Sequence, residues 1–304
     1  MSRPSETSSA WTESKERSNP FTLRLICWLA LHTSRAFARL LLYPITLYFL
    51  LTAPGARKGS KYYLRRLDKN AAGLVRVAKH IFCFAATILD RVYFITDQLD
   101  KFEIEMHGTD ILDNYLEAQQ GCLLLGAHLG SFDALRSLAI NRSQLQLKIM
   151  MYHEHNSMMM QVLDKLNPKL AAAIINLADE GALLKMKDAL EQGQLVGMLG
   201  DRSSGDRDCT CTLLGGEVNM PTGPVTIASI VHVPIILFFP LYMGKNRYAI
   251  YFEELSGPLW PARNERDQVV TELMQRYATR LEYYIRKAPL NWFNFYDFWA
   301  DEKH

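Results

Sequence analysis

The chain lacks a disulfide framework: its five cysteines are odd in number and widely scattered through 304 residues. Cys209-x-Cys211 has neither the gap nor the partner pair of a zinc site. A small secreted scaffold is thereby excluded, and a reducing compartment fits best. A Gly-x-Ser-x-Gly nucleophile elbow is also missing, because Gly130-Ser131-Phe132 does not supply one, so Ser131 is not read as a serine-hydrolase nucleophile. No internal repeat is present, and no low-complexity tract lies beyond the N-terminal tail. Acidic residues are absent from 17–67, which hold nine basic ones. The uninterrupted apolar stretch 40–52 is thirteen residues long, short of the ~20 that span a bilayer comfortably. No small-residue cleavage site follows it, so the segment is expected to stay as an anchor.

What is present is a 49% hydrophobic chain, long enough for one substantial α/β domain plus an appendage. The net charge of +2 hides an asymmetry: residues 1–66 carry eleven Lys or Arg and three acids, hence +8, which leaves −6 for the remainder. The basic part includes Arg57, Lys58, Lys61, Arg65 and Arg66 just after the apolar run, a pattern suited to anionic headgroups on a cytoplasmic leaflet. No nucleic-acid reader motif accompanies these charges, and no nucleic-acid partner is expected.

Residues 1–20 are rich in Ser, Glu and Lys without apolar periodicity and read as a mobile polar tail. Residues 21–60 read as a membrane-anchoring helical segment with a basic flank. Arg24, His32, Arg35, Arg39 and Thr46 fall in one narrow sector at about 100° per residue. That polar face suits either a spanning helix packed on protein or a helix lying in the interface, and Pro44 is expected to bend it. Residues 61–304 read as the catalytic domain. Its sequence predicts a helix over 61–99 and strands over 102–106, 122–127, 145–152, 194–200, 233–240 and 247–253. Helices are expected near 111–119, 182–191, 224–231 and 265–287, and the alternation argues for a mixed central sheet flanked by helices.

The stretch Gly121-Cys-Leu-Leu-Leu-Gly-Ala-His128-Leu-Gly130-Ser131-Phe-Asp133 carries the chemistry. An apolar strand ends there and helical spacing begins, so His128 falls at a strand-to-helix turn, where side chains project from the carboxyl end of a sheet. A neutral imidazole can take a proton from a hydroxyl or amine, and a carboxylate can fix its tautomer. His128 is therefore the candidate base and Asp133 its candidate partner. The N–H groups of Gly130 and Ser131 are the nearest candidate donors to an oxyanion. The bland alternative has His128 satisfying a carbonyl and Asp133 complementing a helix dipole. Asp201-Arg202 follows another apolar strand and is expected at the same sheet edge, where Arg202 could hold a phosphate or carbonyl and Asp201 could orient it or the acceptor; a structural ion pair would look the same. Gly223 could let backbone approach a bound chain, or simply serve a turn. His153-Glu154-His155 lacks the helical His-Glu-x-x-His spacing and is read as solvated or substrate-rim, with no metal or bound cofactor expected.

His128-x4-Asp133 with Gly130 between them resembles the His-x4-Asp/Glu signature of the glycerolipid acyltransferase superfamily. The surrounding layout is similar to the bacterial late acyltransferases of lipid A biosynthesis. Gly197-Met-Leu-Gly-Asp201-Arg202, then Leu214-Gly215-Gly216 through Pro221-Thr-Gly223-Pro224, then Val233-Pro234-Ile235-Ile236 resemble further blocks of that family, in order, over residues 60–299. The resemblance implies a glycerolipid-acyltransferase-like fold with an N-terminal membrane-anchoring helix. It also implies transfer of an acyl chain from acyl carrier protein or coenzyme A to a lipid or glycolipid at the bacterial inner membrane. Asp133 stands where the lipid A enzymes usually carry Glu. Their C-terminal His-Arg-Arg cluster is replaced here by Trp292-Phe-Asn-Phe-Tyr-Asp-Phe-Trp299. That departure opens a less phosphorylated acceptor or a specialised chain such as an aryl polyene; a thioesterase and a non-catalytic lipid-binding protein are the rival classes.

Overall fold

A computed structural model describes residues 28, 30–69, 72–135, 146–152, 167–202 and 207–299. The N-terminal tail and His153-Glu154-His155 lie outside these residues. Seven strands form one sheet in the order β1-β9-β8-β2-β5-β3-β4, where β1 is Glu103–His107, β2 Cys122–Gly126, β3 Leu147–Met151, β4 Ile174–Asn176, β5 Leu195–Leu199, β8 Ile235–Tyr242 and β9 Arg247–Ser256. All neighbours pair in parallel except β8 with β9. The mixed α/β sheet flanked by helices is as the alternation of periodicities predicts.

Every residue of β2 and β8 is buried, which is why both read as unbroken apolar runs: helices cover the two faces of a largely parallel sheet. Period-two geometry divides β2 between two cores, Leu123 and Leu125 packing on one side and Cys122 and Leu124 on the other. Pro240 sits inside β8 without breaking it. Its carbonyl accepts the Ser131 N–H, so its backbone faces the end of β2 and its missing N–H removes no ladder bond to β9.

One face of the sheet is covered by α6 (Ala182–Glu191), α7 (Gly223–Val231) and α8 (Arg266–Lys287), the other by α4 (Leu74–Ile95) and the N-terminal helices α1 (Arg35–Leu40) and α2 (Leu42–Thr52). α5 spans Thr109–Glu117. The helical run is interrupted at Leu41, where α1 ends and α2 begins, three residues before Pro44. Pro44 has no N–H for the Leu40 carbonyl four residues back. Of the polar stripe, Arg35 bonds Asp90 of α4, and Thr46 is buried.

Two expectations change. The single helix predicted over 61–99 is two: α3 (Pro54–Leu67) ends where Asp68 turns extended, and α4 starts after Gly73. Asp and Gly are poor helix formers, and between them they interrupt a periodicity that otherwise runs on. The glycine block around Leu214 is a second, two-stranded sheet of β6 (Asp208–Leu213) and β7 (Gly216–Pro221). Leu214 and Gly215 both have positive φ, 51° and 72°, the requirement of a type I′ hairpin. The hairpin is fastened to α8 by Gln275, which bonds the Thr212 N–H at 2.8 Å, and by Glu282, which bonds that of Leu214 at 2.6 Å.

Candidate active site

Strands β2 and β5 are parallel neighbours in register, with Gly126 opposite Leu199. Two residues further along each chain stand His128 and Asp201, so the pairing itself delivers an imidazole beside a carboxylate at the carboxyl edge of the sheet. His128 Nδ1 lies 2.7 Å from Asp201 Oδ1, and the His128 N–H lies 3.1 Å from both carboxylate oxygens. An ionised carboxylate only accepts, so Nδ1 carries the proton and Nε2 holds the basic lone pair. The imidazole keeps 29% of its surface exposed, whereas Asp201 is fully buried.

The C-terminal segment closes over this pair. Leu129 and Trp292 form an antiparallel bridge, and the Phe293 N–H donates to the His128 carbonyl at 2.8 Å. Trp292 Nε1 and Asn294 Nδ2 donate to Asp201 Oδ2 at 3.0 and 3.1 Å. Arg202 Nε donates to Asn294 Oδ1 at 2.9 Å, and its Nη2 to the Phe293 carbonyl at 3.0 Å. Asp201 thus accepts from two backbone or ring groups of His128 and from two side chains of the segment.

Burial alone would raise the Asp201 pKa. The His128 charge and hydrogen bond, with Arg202 and Asn294, outweigh it and hold the carboxyl well below the usual carboxylate range. For His128, burial and then the Arg202 guanidinium lower the pKa, Asp201 works against them, and Arg91 adds to the lowering. The net direction is downward, which keeps the imidazole neutral and able to accept a proton at neutral pH.

Asp133 sits in a short 3-10 turn, Phe132–Leu135, just beyond His128, and is buried. Arg91 of α4 donates its Nε to Asp133 Oδ2. The carboxylate on Nδ1 of His128 is therefore Asp201, and Asp133 stations the Arg91 charge nearby. Gly130 has φ +77°, and a Cβ there would run into the Pro240 carbonyl oxygen, so only glycine fits this crossing. The expectation that Gly130 and Ser131 present free N–H groups is corrected. Gly130 donates to the Asn291 carbonyl and Ser131 to that of Pro240, each at 2.9 Å. Gly223 opens α7 beyond the hairpin, and none of the hydrogen bonds around His128 reaches it. Among the described residues no cluster of three or more His, Cys, Asp or Glu could hold a metal ion.

Arg91, Trp292 and Asn294 were not singled out as site residues in the sequence. The dense aromatic run 292–299 was a signal, but nothing local said that it folds back onto the ends of β2 and β5.

The α/β sheet thus carries at its carboxyl edge a carboxylate-held histidine whose lowered pKa leaves it able to accept a proton. The sequence matches the family model of the bacterial lipid A biosynthesis acyltransferases over residues 76–300. The chain belongs to that family and is an acyltransferase. No curated protein matches it.

Proposed function

We propose that the protein moves an acyl chain from a thioester, of acyl carrier protein or coenzyme A, to a hydroxyl or amine of a lipid or glycolipid, with His128 as general base. The observation that carries this reading is the 2.7 Å contact of His128 Nδ1 with Asp201, which leaves Nε2 basic and reachable. Nε2 takes the acceptor's proton as its oxygen or nitrogen attacks the thioester carbonyl. The tetrahedral intermediate then collapses, the carbon–sulfur bond breaks, and the imidazolium returns the proton to the departing thiolate. No covalent enzyme intermediate is needed. Asp201 orients the ring and stabilises its cationic form. With the Gly130 and Ser131 N–H groups committed, the positive charges of Arg202 and Arg91, both felt at His128, supply the field for the oxyanion.

The place of action we propose is the cytoplasmic face of a bacterial inner membrane. In support, the stretch Arg35–Thr52 is long and apolar enough to cross a membrane and only 17% of it is buried. Lys58, Lys61 and Arg65 form an exposed basic stripe on the following helix α3. The test is mass spectrometry of purified protein with long-chain acyl carrier protein thioesters and a bacterial lipid extract, beside His128→Ala. A lipid heavier by one acyl group, made by the wild type only, is expected. Free fatty acid without it would replace the transferase with a thioesterase, and donor consumption unchanged in His128→Ala would remove His128 from the chemistry.

A further inference from the structure

A depression of about 360 Å³, open to solvent, lies between α1 and α2, α4 and the turn joining β8 to β9. Its floor holds more positive charge than it neutralises. Arg35 is spent: its Nε and Nη2 bond the buried Asp90 at 2.8 and 2.7 Å, and Nη2 also bonds the Lys245 carbonyl at 2.6 Å. Asp90 in turn accepts from the Tyr248 hydroxyl at 2.9 Å. Arg39 has no such carboxylate among the described residues. Its guanidinium stands 5.8 Å from the ring centres of Phe82 and Tyr242, and its buried Nη1 has no hydrogen-bond partner. Lys245 lines the same depression. Arg39 also interacts with the Tyr242 hydroxyl and feels the Asp90 charge, so three cations share one carboxylate and one buried N–H donor of Arg39 is left without a partner.

We propose that this depression binds the phosphate headgroup of an anionic membrane lipid, with the Arg39 guanidinium and the Lys245 ammonium facing the phosphate. A phosphate supplies the missing negative charge. A lipid, rather than free phosphate, fits the rim: Leu40 and Tyr43 line the depression and are 61% and 63% exposed, so acyl chains can lie along them. The site shares no residue with the group around His128. It is an anchoring site, holding the sheet edge that bears His128 at the level of the headgroups. It rests on the membrane reading above, but its test needs no turnover.

The full chain in nonionic detergent is titrated calorimetrically with dihexanoyl phosphatidic acid and, separately, with inorganic phosphate. The lipid is expected to bind at least tenfold more tightly than phosphate. Arg39→Gln and Lys245→Ala should each weaken it by at least tenfold, and Arg39→Lys should recover part of the loss. Unchanged affinity in both loss variants, or no binding to the wild type, overturns the site. Phosphate binding as tightly as the lipid overturns the lipid assignment. Lys245 is on a surface turn, so its variant carries the test if Arg39→Gln does not fold. Failure of the wild type to float with vesicles containing anionic lipid would instead strike at the membrane reading itself.

Discussion

The indole of Trp292 donates its N–H to Asp201 Oδ2 at 3.0 Å. Ninety-one positions apart in the chain, the two are joined because the C-terminal segment bridges Leu129 and lies over the ends of β2 and β5. The tail of the protein is thus part of the setting of His128, since it provides two of the donors that keep Asp201 ionised. Replacing Trp292 by Phe keeps an aromatic ring, smaller than the buried indole, and deletes that donor to a charged acceptor. A stability loss of about 1.5–3 kcal/mol is expected from urea unfolding, together with reduced turnover.

Asp201→Asn keeps the shape and removes the charge that holds the Nδ1 proton. Turnover is expected to fall about 10²- to 10⁴-fold, with the substrate KM little changed. Steady-state kinetics that show wild-type turnover would end the role assigned to Asp201.

The His128 pKa is lowered, so the acid limb of kcat/KM against pH should have its midpoint below the ordinary histidine value of about 6.5. Arg202 is one cause of that lowering, and Arg202→Gln should shift the midpoint upward. A downward shift or none would contradict the electrostatics derived for this edge.

Stability should fall on acidification because of a second histidine. His80 is fully buried; its Nε2 donates to the Trp292 carbonyl and its Nδ1 accepts from Ser60, each at 2.9 Å. Burial, opposed by the bond to Trp292, pushes its pKa down to about 4. The unfolded chain binds this proton from about pH 6.5 downward, so between 6.5 and 4 it holds more protons than the fold. Stability therefore rises with pH in this window, and the loss at pH 5 is about 2 kcal/mol from this group. Urea unfolding at pH 7 and pH 5, with His80→Gln as the comparison, measures it; equal pH dependence in the two proteins would refute it.

Gly130→Ala forces a Cβ into the Pro240 carbonyl at a positive φ. Strain of that kind costs at least about 1–3 kcal/mol from the dihedral alone, and relief requires moving β8 or the His128 turn. A drop in melting temperature and near-complete loss of acyl transfer are expected. An active variant of normal stability would show that the crossing can yield.

Where the chemistry is local, it was legible. The buried run 122–127, the turn at His128, the apolar strand before Asp201 and the amphipathic α8 all follow from periodicity, because burial on one face or two writes itself into residue spacing. The hairpin β6–β7 and the short β4 are not among the expected strands, although Asp208-Cys-Thr-Cys-Thr-Leu213 alternates. The partner of His128 was not legible from proximity. Asp133 is five positions away and Asp201 seventy-three, yet the latter accepts the Nδ1 hydrogen bond.

Sequence alone determined most of the central strands and the later helices, the His128 turn, the basic and apolar character of the N-terminal segment and the family signature, since each depends on residues near one another in the chain. Tertiary structure decided which carboxylate meets which cation: register between β2 and β5 set Asp201 beside His128, and α4 brought Arg91 to Asp133. It also decided that the N–H groups of Gly130 and Ser131 are occupied, and that Arg39 is left with a buried donor unpaired. Hydrogen bonds and ion pairs are settled by distances of a few ångströms between distant segments, and such distances exist only once the sheet has formed.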